Sequence, residues 1–241
     1  MEELNLNNVW GDPKEYKGLN IYPVKMKDIL IFNSVVGCLM IEKNKIPDVN
    51  VIKMSYLNFL FLQAEDHPEI IIGLKMLLDL VLKEITIKSI DKNNEIILLI
   101  NEVEIDGNDF EKIRNIIFNQ NLIIIDNMML DEEMEKRLRE AEEFLASKEK
   151  PATLEERIFS YGAMTHKPYQ DIKEMTIYQF NKELERLNLI KNFEVYTYPM
   201  LKGGNSEGIT HWLSHIPERG RYDNVLINRS EFNNIANSIE N

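Results

Sequence analysis

Between Thr153 and Leu187 the chain reads TLEERIFSYGAMTHKPYQDIKEMTIYQFNKELERL, and two short sequences within it mark where helices must begin. Thr153-Leu-Glu-Glu156 and Thr176-Ile-Tyr-Gln179 are both capping boxes. In each, the threonine hydroxyl accepts from a backbone N–H of the first turn, and the Glu or Gln side chain reaches back to the threonine N–H. The first box predicts a helix to about Met164 that presents Leu154, Ile158, Phe159 and Tyr161. His166 to Pro168 makes a turn, and a short helix spans Tyr169 to Met175. The second box opens a helix with Ile177, Phe180, Leu184 and Leu187 on one face. Three closely spaced helices confine this stretch to a small helical module.

Such a module suits a docking domain or a helix-turn-helix, and charge separates the two. A recognition helix must put Arg, Lys, Asn or Gln into the major groove. The last helix offers Gln179, Asn181, Lys182 and Arg186, but interleaves Glu183 and Glu185, and the helix before it carries Asp171 and Glu174. The whole chain has a formal net charge of −12. Phosphate binding scales with clustered cations, so a protein partner is favoured and nucleic acid is disfavoured. A helix-turn-helix DNA-binding regulator is retained as an alternative.

Towards the N-terminus, GLNIYPVKM is expected to be extended, followed by helices over Lys27–Ile41, Val49–Gln63 and from Pro68 through GLKMLLDLVL. The middle one is apolar almost all round, with Tyr56, Leu57, Phe59 and Leu60, so it is central or lies at an interface. ITIKSI, EIILLI and EVEID read as a β-hairpin or meander. Asn108 or Asp109 then caps a helix through Asn121, and LIIID reads as a strand. Asp131 to Lys150 is an acidic, thinly apolar helix ended by Pro151, and reads as a linker. Beyond Leu187, NFEVYTYPML reads as a strand or extended arm, GGNSEG as a loop, ITHWLSHI as a short helix or strand, and Ser230 to Glu240 as a capped helix. The expected fold is α+β and mainly α-helical. A helical bundle with a β-meander occupies residues 1–130, the linker helix 131–150, and a C-terminal three-helix module with short strands 151–241.

Candidate chemistry is sparse. His211 and His215 stand four apart and would share a helical face, with His166 or Glu218 as a third metal ligand, but the glutamate of the zinc protease motif is missing. Gly203, Gly204 and Gly208 lack the strand, helix and Lys of a phosphate loop. Ser206 lacks a nucleophile elbow, and Arg219 and Arg221 with Tyr222 read equally as a grip for an anionic group or as ordinary surface charges. Cys38, the only cysteine, sits in an apolar run and reads as a buried thiol of a reducing compartment. No signal peptide and no membrane span are expected. The chain is read as non-enzymatic, cofactor-free and cytoplasmic.

The phrases IYPVKMKDILIFN (Ile21 to Asn33), DFEKIRNIIFNQN (Asp109 to Asn121) and the module from Leu154 to Leu187 give the chain a family likeness. It resembles tail assembly chaperones and related morphogenesis proteins of tailed bacteriophages that infect Gram-positive hosts. The resemblance implies a protein in the host cytoplasm that binds the tape measure protein before the tail tube polymerises, and a structural component of the tail or baseplate is the alternative. It implies an apolar groove drawn from the helix around Tyr56, Leu57, Phe59 and Leu60 or from Ile177 and Phe180, while the residues themselves make Trp212 with His211 and His215 a packed or partner-facing surface. An acidic rim would favour basic clients, and a homo-oligomer is left open. The chain departs from the pattern in its second domain, since many such chaperones are shorter or gain length by a frameshift.

Overall fold

The computed structural model describes residues 6–43, 46, 48–92, 95–124, 132–148, 151–200 and 210–216. The fold is mainly α-helical, with two small antiparallel sheets among the described residues. A one-turn helix α1 (Asn7–Trp10) leads into the hairpin of β1 (Lys14–Tyr16) and β2 (Leu19–Ile21). Its two-residue turn, Lys17-Gly18, has positive φ at both positions, the geometry that matches the twist of the flanking strands. Lys17 and the Tyr16 hydroxyl both bond the Asp109 carboxylate, the latter at 2.8 Å. Burial alone would raise the pKa of Asp109, but hydrogen bonds from Lys17, Tyr16 and the Asp106 N–H outweigh it and hold the carboxyl below its usual range.

The helix expected over Lys27–Ile41 is broken into three pieces: a 3-10 turn (Met26–Asp28), α2 (Ile29–Val35) and a second 3-10 turn (Val36–Leu39). Adjacent β-branched Val35 and Val36, followed by Gly37, weaken the helix where it tightens. The helix expected over Val49–Gln63 is likewise two, α3 (Val49–Lys53) and α4 (Tyr56–Asp66). Ser55 explains the break, because its Oγ accepts from Asn58 N at 3.2 Å and starts a new helix. The Met54 carbonyl, turned out of the helix, accepts from Lys43 Nζ at 2.6 Å. α5 (Glu69–Leu82) follows Pro68 as expected, although the proline is its N-cap.

The meander is present as β3 (Ile87–Lys92), β4 (Glu95–Ile100) and β5 (Val103–Ile105), paired in sequence order. α6 (Gly107–Asn121) is capped by Asp106, three residues before Asp109, and these two carboxylates form its capping box. A Cβ on Gly107 would stand 2.3 Å from Ser55 Cβ, so only glycine lets α6 begin against the start of α4. Phe110, Ile113 and Ile117 fill the core between α4 and the meander. The expected strand at LIIID is not formed in its described part. Leu122 takes a left-handed φ of 56° and ends α6, and Ile123 N bonds Phe118 O at 3.0 Å.

The acidic helix is α7 (Glu132–Lys148), followed by α8 (Leu154–Thr165), α9 (Tyr169–Glu174) and α10 (Ile177–Met200). Both threonine boxes are made. Thr153 N and Oγ1 bond Glu156 Oε2 at 2.7 and 2.9 Å, and Thr176 N bonds Gln179 Oε1 at 2.9 Å. α10 runs well past Leu187, through the residues that read as a strand.

The chain forms two compact units, Met1–Ile123 with His166–Asn192, and Ile124–Thr165 with Phe193–Asn241. Its contacts therefore do not separate along the sequence boundaries at 130 and 150. α9 and the first part of α10 complete the N-terminal unit, while the remainder of α10 belongs to the second. No described helix is long and apolar enough to cross a membrane.

Candidate partner-binding site

Four of the five residues expected to face a partner are core residues. Tyr56 opens α4, and its hydroxyl lies 3.2 Å from both the Cys38 and Ile41 carbonyls. The Arg114 guanidinium stacks 3.8 Å from its ring centroid while donating to the Leu39 carbonyl at 2.8 Å. Burial pushes the Tyr56 hydroxyl up to about 12, so it is a neutral donor. Phe59 has no exposed surface, and its ring centroid is 5.8 Å from that of Tyr56. The all-apolar pattern of this segment therefore reflects a central position, and no open groove is drawn from it.

Ile177 and Phe180 are buried as well, at 5% and 0% exposure. The turn before α10 is stitched to the N-terminal segment by backbone. Met26 N bonds Met175 O and Ile177 N bonds Val24 O, both at 2.8 Å, around an antiparallel bridge of Lys25 with Thr176. Lys25 and Lys27 grip Glu174 from either side at 2.7 and 3.0 Å, and this holds the carboxyl down to about 2. Gly11 has a φ of 74°, and a Cβ there would lie 3.1 Å from Thr176 Cγ2. That close approach lets Gln179 Nε2 reach the Val9 carbonyl at 2.9 Å.

The same bonds occupy the face that a DNA-reading helix would need. Gln179 is held by Thr176 and Val9. Asn181 Nδ2 donates to the Ile177 carbonyl at 2.8 Å. Lys182 pairs with Glu185 and Lys167 with Glu183. Both expected base-reading amides thus serve the fold, and one of the expected cations, Lys182, lies against a carboxylate.

Trp212 differs from the other four, being 38% exposed in the second unit. Residues 211–214 form a turn, in which Ser214 N bonds His211 O at 2.9 Å and Leu213 N bonds His211 Nδ1 at 3.1 Å. The latter bond places the proton of a neutral His211 on Nε2. The turn removes the helical spacing that would have brought His211 and His215 to one face. His166, the expected third ligand, lies in the other unit with a φ of 57°, and Glu218 lies outside the described residues. Among the described residues no cluster of three or more His, Cys, Asp or Glu is arranged to hold a metal ion.

His211 instead packs edge-on to Phe193, ring centroids 5.1 Å apart, and lies 5.6 Å from the Trp212 ring. Tyr196, one turn along α10 from Phe193, is 58% exposed, and Leu213 is 66% exposed. Exposed apolar side chains thus lie on α10 at Tyr196 and in the turn at Trp212 and Leu213, and the contact of His211 with the half-buried Phe193 ties the turn to the helix. Tyr196 and Leu213 escaped the sequence reading because Val195, Tyr196 and Thr197 favour strands by propensity. Only the continued helix, with Thr197 Oγ1 bonding Phe193 O at 2.6 Å, puts Tyr196 above Phe193. Gly203, Gly204, Ser206, Gly208, Arg219, Arg221, Tyr222 and the expected Ser230–Glu240 helix lie outside the described residues.

Residues 146–217 match the family model described as the YomV second domain. This is a phage-associated domain. The match covers α8, α9, α10 and the turn that carries Trp212, which is less than half of the chain. No curated protein and no solved structure matches the chain.

Proposed function

We propose that the chain is a non-catalytic protein-binding factor in bacteriophage tail morphogenesis, acting in the host cytoplasm on the tape measure protein. The observation that carries this reading is the exposure of Tyr196, Trp212 and Leu213, all of which lie inside the region similar to the phage-associated domain. Exposed aromatic side chains are the usual anchors of protein interfaces, since they bury large area at low entropic cost. The likeness of the N-terminal phrases to tail assembly chaperones supports the tape measure protein as the client.

The test is a tagged pull-down from phage-producing cells, read by mass spectrometry, with wild type and the Tyr196→Ala/Trp212→Ala double variant. Recovery of a long helical tail protein by wild type, and its loss with the folded variant, is the expected result. Finding the chain in mature particles would make it a tail or baseplate component. Recovery of duplex DNA without a tail protein would overturn the reading in favour of a regulator.

A further inference from the structure

The outer face of α5, in the N-terminal unit, carries a second surface of a different kind. Glu69, Ile72, Met76 and Asp79 follow the spacing i, i+3, i+7, i+10 and so form one stripe along the helix. All four are exposed, with Ile72 at 61% and Met76 at 46%. The opposite face is spent on the core through Leu74, Leu77, Leu78 and Val81. α2 lies beside this helix and runs antiparallel to it. Tyr22 N, just ahead of α2, bonds Val81 O at 2.7 Å, and a Cβ on Gly73 would stand 3.8 Å from Val35 O at the other end. On α2 itself, Leu30 and Ile31 are 72% and 48% exposed.

We propose that this stripe is a docking surface for a cationic amphipathic helix of a partner protein, with aliphatic side chains at its centre and Lys or Arg at both ends. The charge pattern selects that occupant. The apolar centre is closed at each end by a carboxylate, Glu69 and Asp79, about 15 Å apart along the axis. His67 touches Glu69 at 3.1 Å, Lys75 stands one turn before Asp79, and Lys83, one turn after it, is drawn over the Tyr22 ring at 3.8 Å from the centroid. A helix laid along the stripe meets negative charge at both ends, where its own cations find partners. A second copy of this chain is disfavoured by the same pattern. Antiparallel pairing would set Glu69 against Asp79, parallel pairing would set each carboxylate against itself, and each copy carries a formal charge of −12. The inference is independent of the phage reading and of the Trp212 surface.

The test titrates the full chain into a fluorescein-labelled synthetic helical peptide of about 16 residues, with Leu at helical spacing in its centre and Lys at both ends. A second peptide has Glu in place of every Lys. Fluorescence anisotropy should show saturable binding of the Lys peptide, at least about tenfold weaker for Ile72→Glu/Met76→Glu and for Glu69→Lys/Asp79→Lys. The second variant should instead gain affinity for the Glu peptide. Circular dichroism checks that both variants fold, as exposed sites allow. Tyr196→Ala/Trp212→Ala should bind the Lys peptide as wild type does. Absence of saturable binding, equal binding by all variants, or equal affinity for the two peptides would overturn the proposal. So would a concentration-dependent dimer that Ile72→Glu/Met76→Glu abolishes, which would make the occupant a second copy.

Discussion

In its first part, Ile177–Asn192, α10 closes the core of the N-terminal unit with Ile177 and Phe180 buried to 5% and 0% exposure. In its second part, from Phe193, the same helix displays Val195 at 65% and Tyr196 at 58%. Both parts are rich in large apolar side chains, so composition does not separate them. What separates them is the entry. The turn before the first part is fastened to Val24, Lys25 and Met26 by backbone bonds, and those bonds turn one face inward. Beyond Asn192, Val195 and Tyr196 lie exposed and serve as surface.

The sharpest way to break this comparison is truncation. Phe180→Ala should cost roughly 3–5 kcal/mol, as for a fully buried phenylalanine, whereas Val195→Ala should stay within about 0.5 kcal/mol. Urea unfolding curves of the two variants measure both, and equal losses would erase the distinction. The two capping boxes offer a finer version. Thr176→Ala removes a cap that is itself 4% exposed and should cost about 1–2 kcal/mol. Thr153→Ala removes an exposed cap of the same chemistry and should cost about 0.5–1 kcal/mol. Thermal melts at one pH would rank them.

Tyr196→Ala should leave the melting temperature within a degree or two of wild type, as surface changes do, yet lower partner recovery in the pull-down at least about tenfold. A large fall in stability would move Tyr196 into the class of Phe180. The smallest effect concerns acid. Glu174 is held at about 2 by Lys25 and Lys27, below its ordinary 4.5. A depressed carboxylate contributes stability above its unfolded pKa and loses it as pH falls from about 4.5 through about 2. Stability should therefore decline over that window, and Glu174→Gln should flatten part of the decline. Glu156, held low by the Thr153 N–H and hydroxyl, adds the same sign of dependence in the other unit. Because these ion pairs are exposed, added salt should shrink the Glu174 contribution.

Short-range chemistry was legible from the sequence. The Thr153 and Thr176 boxes, the meander and the helix after Asp106 rest on bonds between residues a few positions apart. The failures share a cause as well. Ser55 splits an apolar run by offering its hydroxyl as a cap, and Val195 to Thr197 keep a helix that their propensity opposes. The docking of His166–Asn192 onto the first unit depends on bonds such as Lys27 with Glu174, 147 positions apart, and no local pattern announces such a pair. The partner residues were misplaced for a related reason: apolar density marks Tyr56, Phe59, Ile177 and Phe180 equally well as core or as interface. Trp212, read with its two histidines as packed or partner-facing, is 38% exposed, and Tyr196 became visible only with the helix.

The strap from His166 to Asn192 also sets an order of events on the ribosome. The first 123 residues leave the exit tunnel lacking Ile172, Ile177 and Phe180 of their own core, and that core cannot be filled until Phe180 has followed. At about 5–20 residues per second, that interval lasts several seconds. During it the nascent chain offers an unfilled apolar cleft to whatever is nearby, including the holdase chaperones of the cell. A premature stop between 123 and 172 would thus release a chain with an open core, prone to aggregation, and not a shortened but stable N-terminal domain.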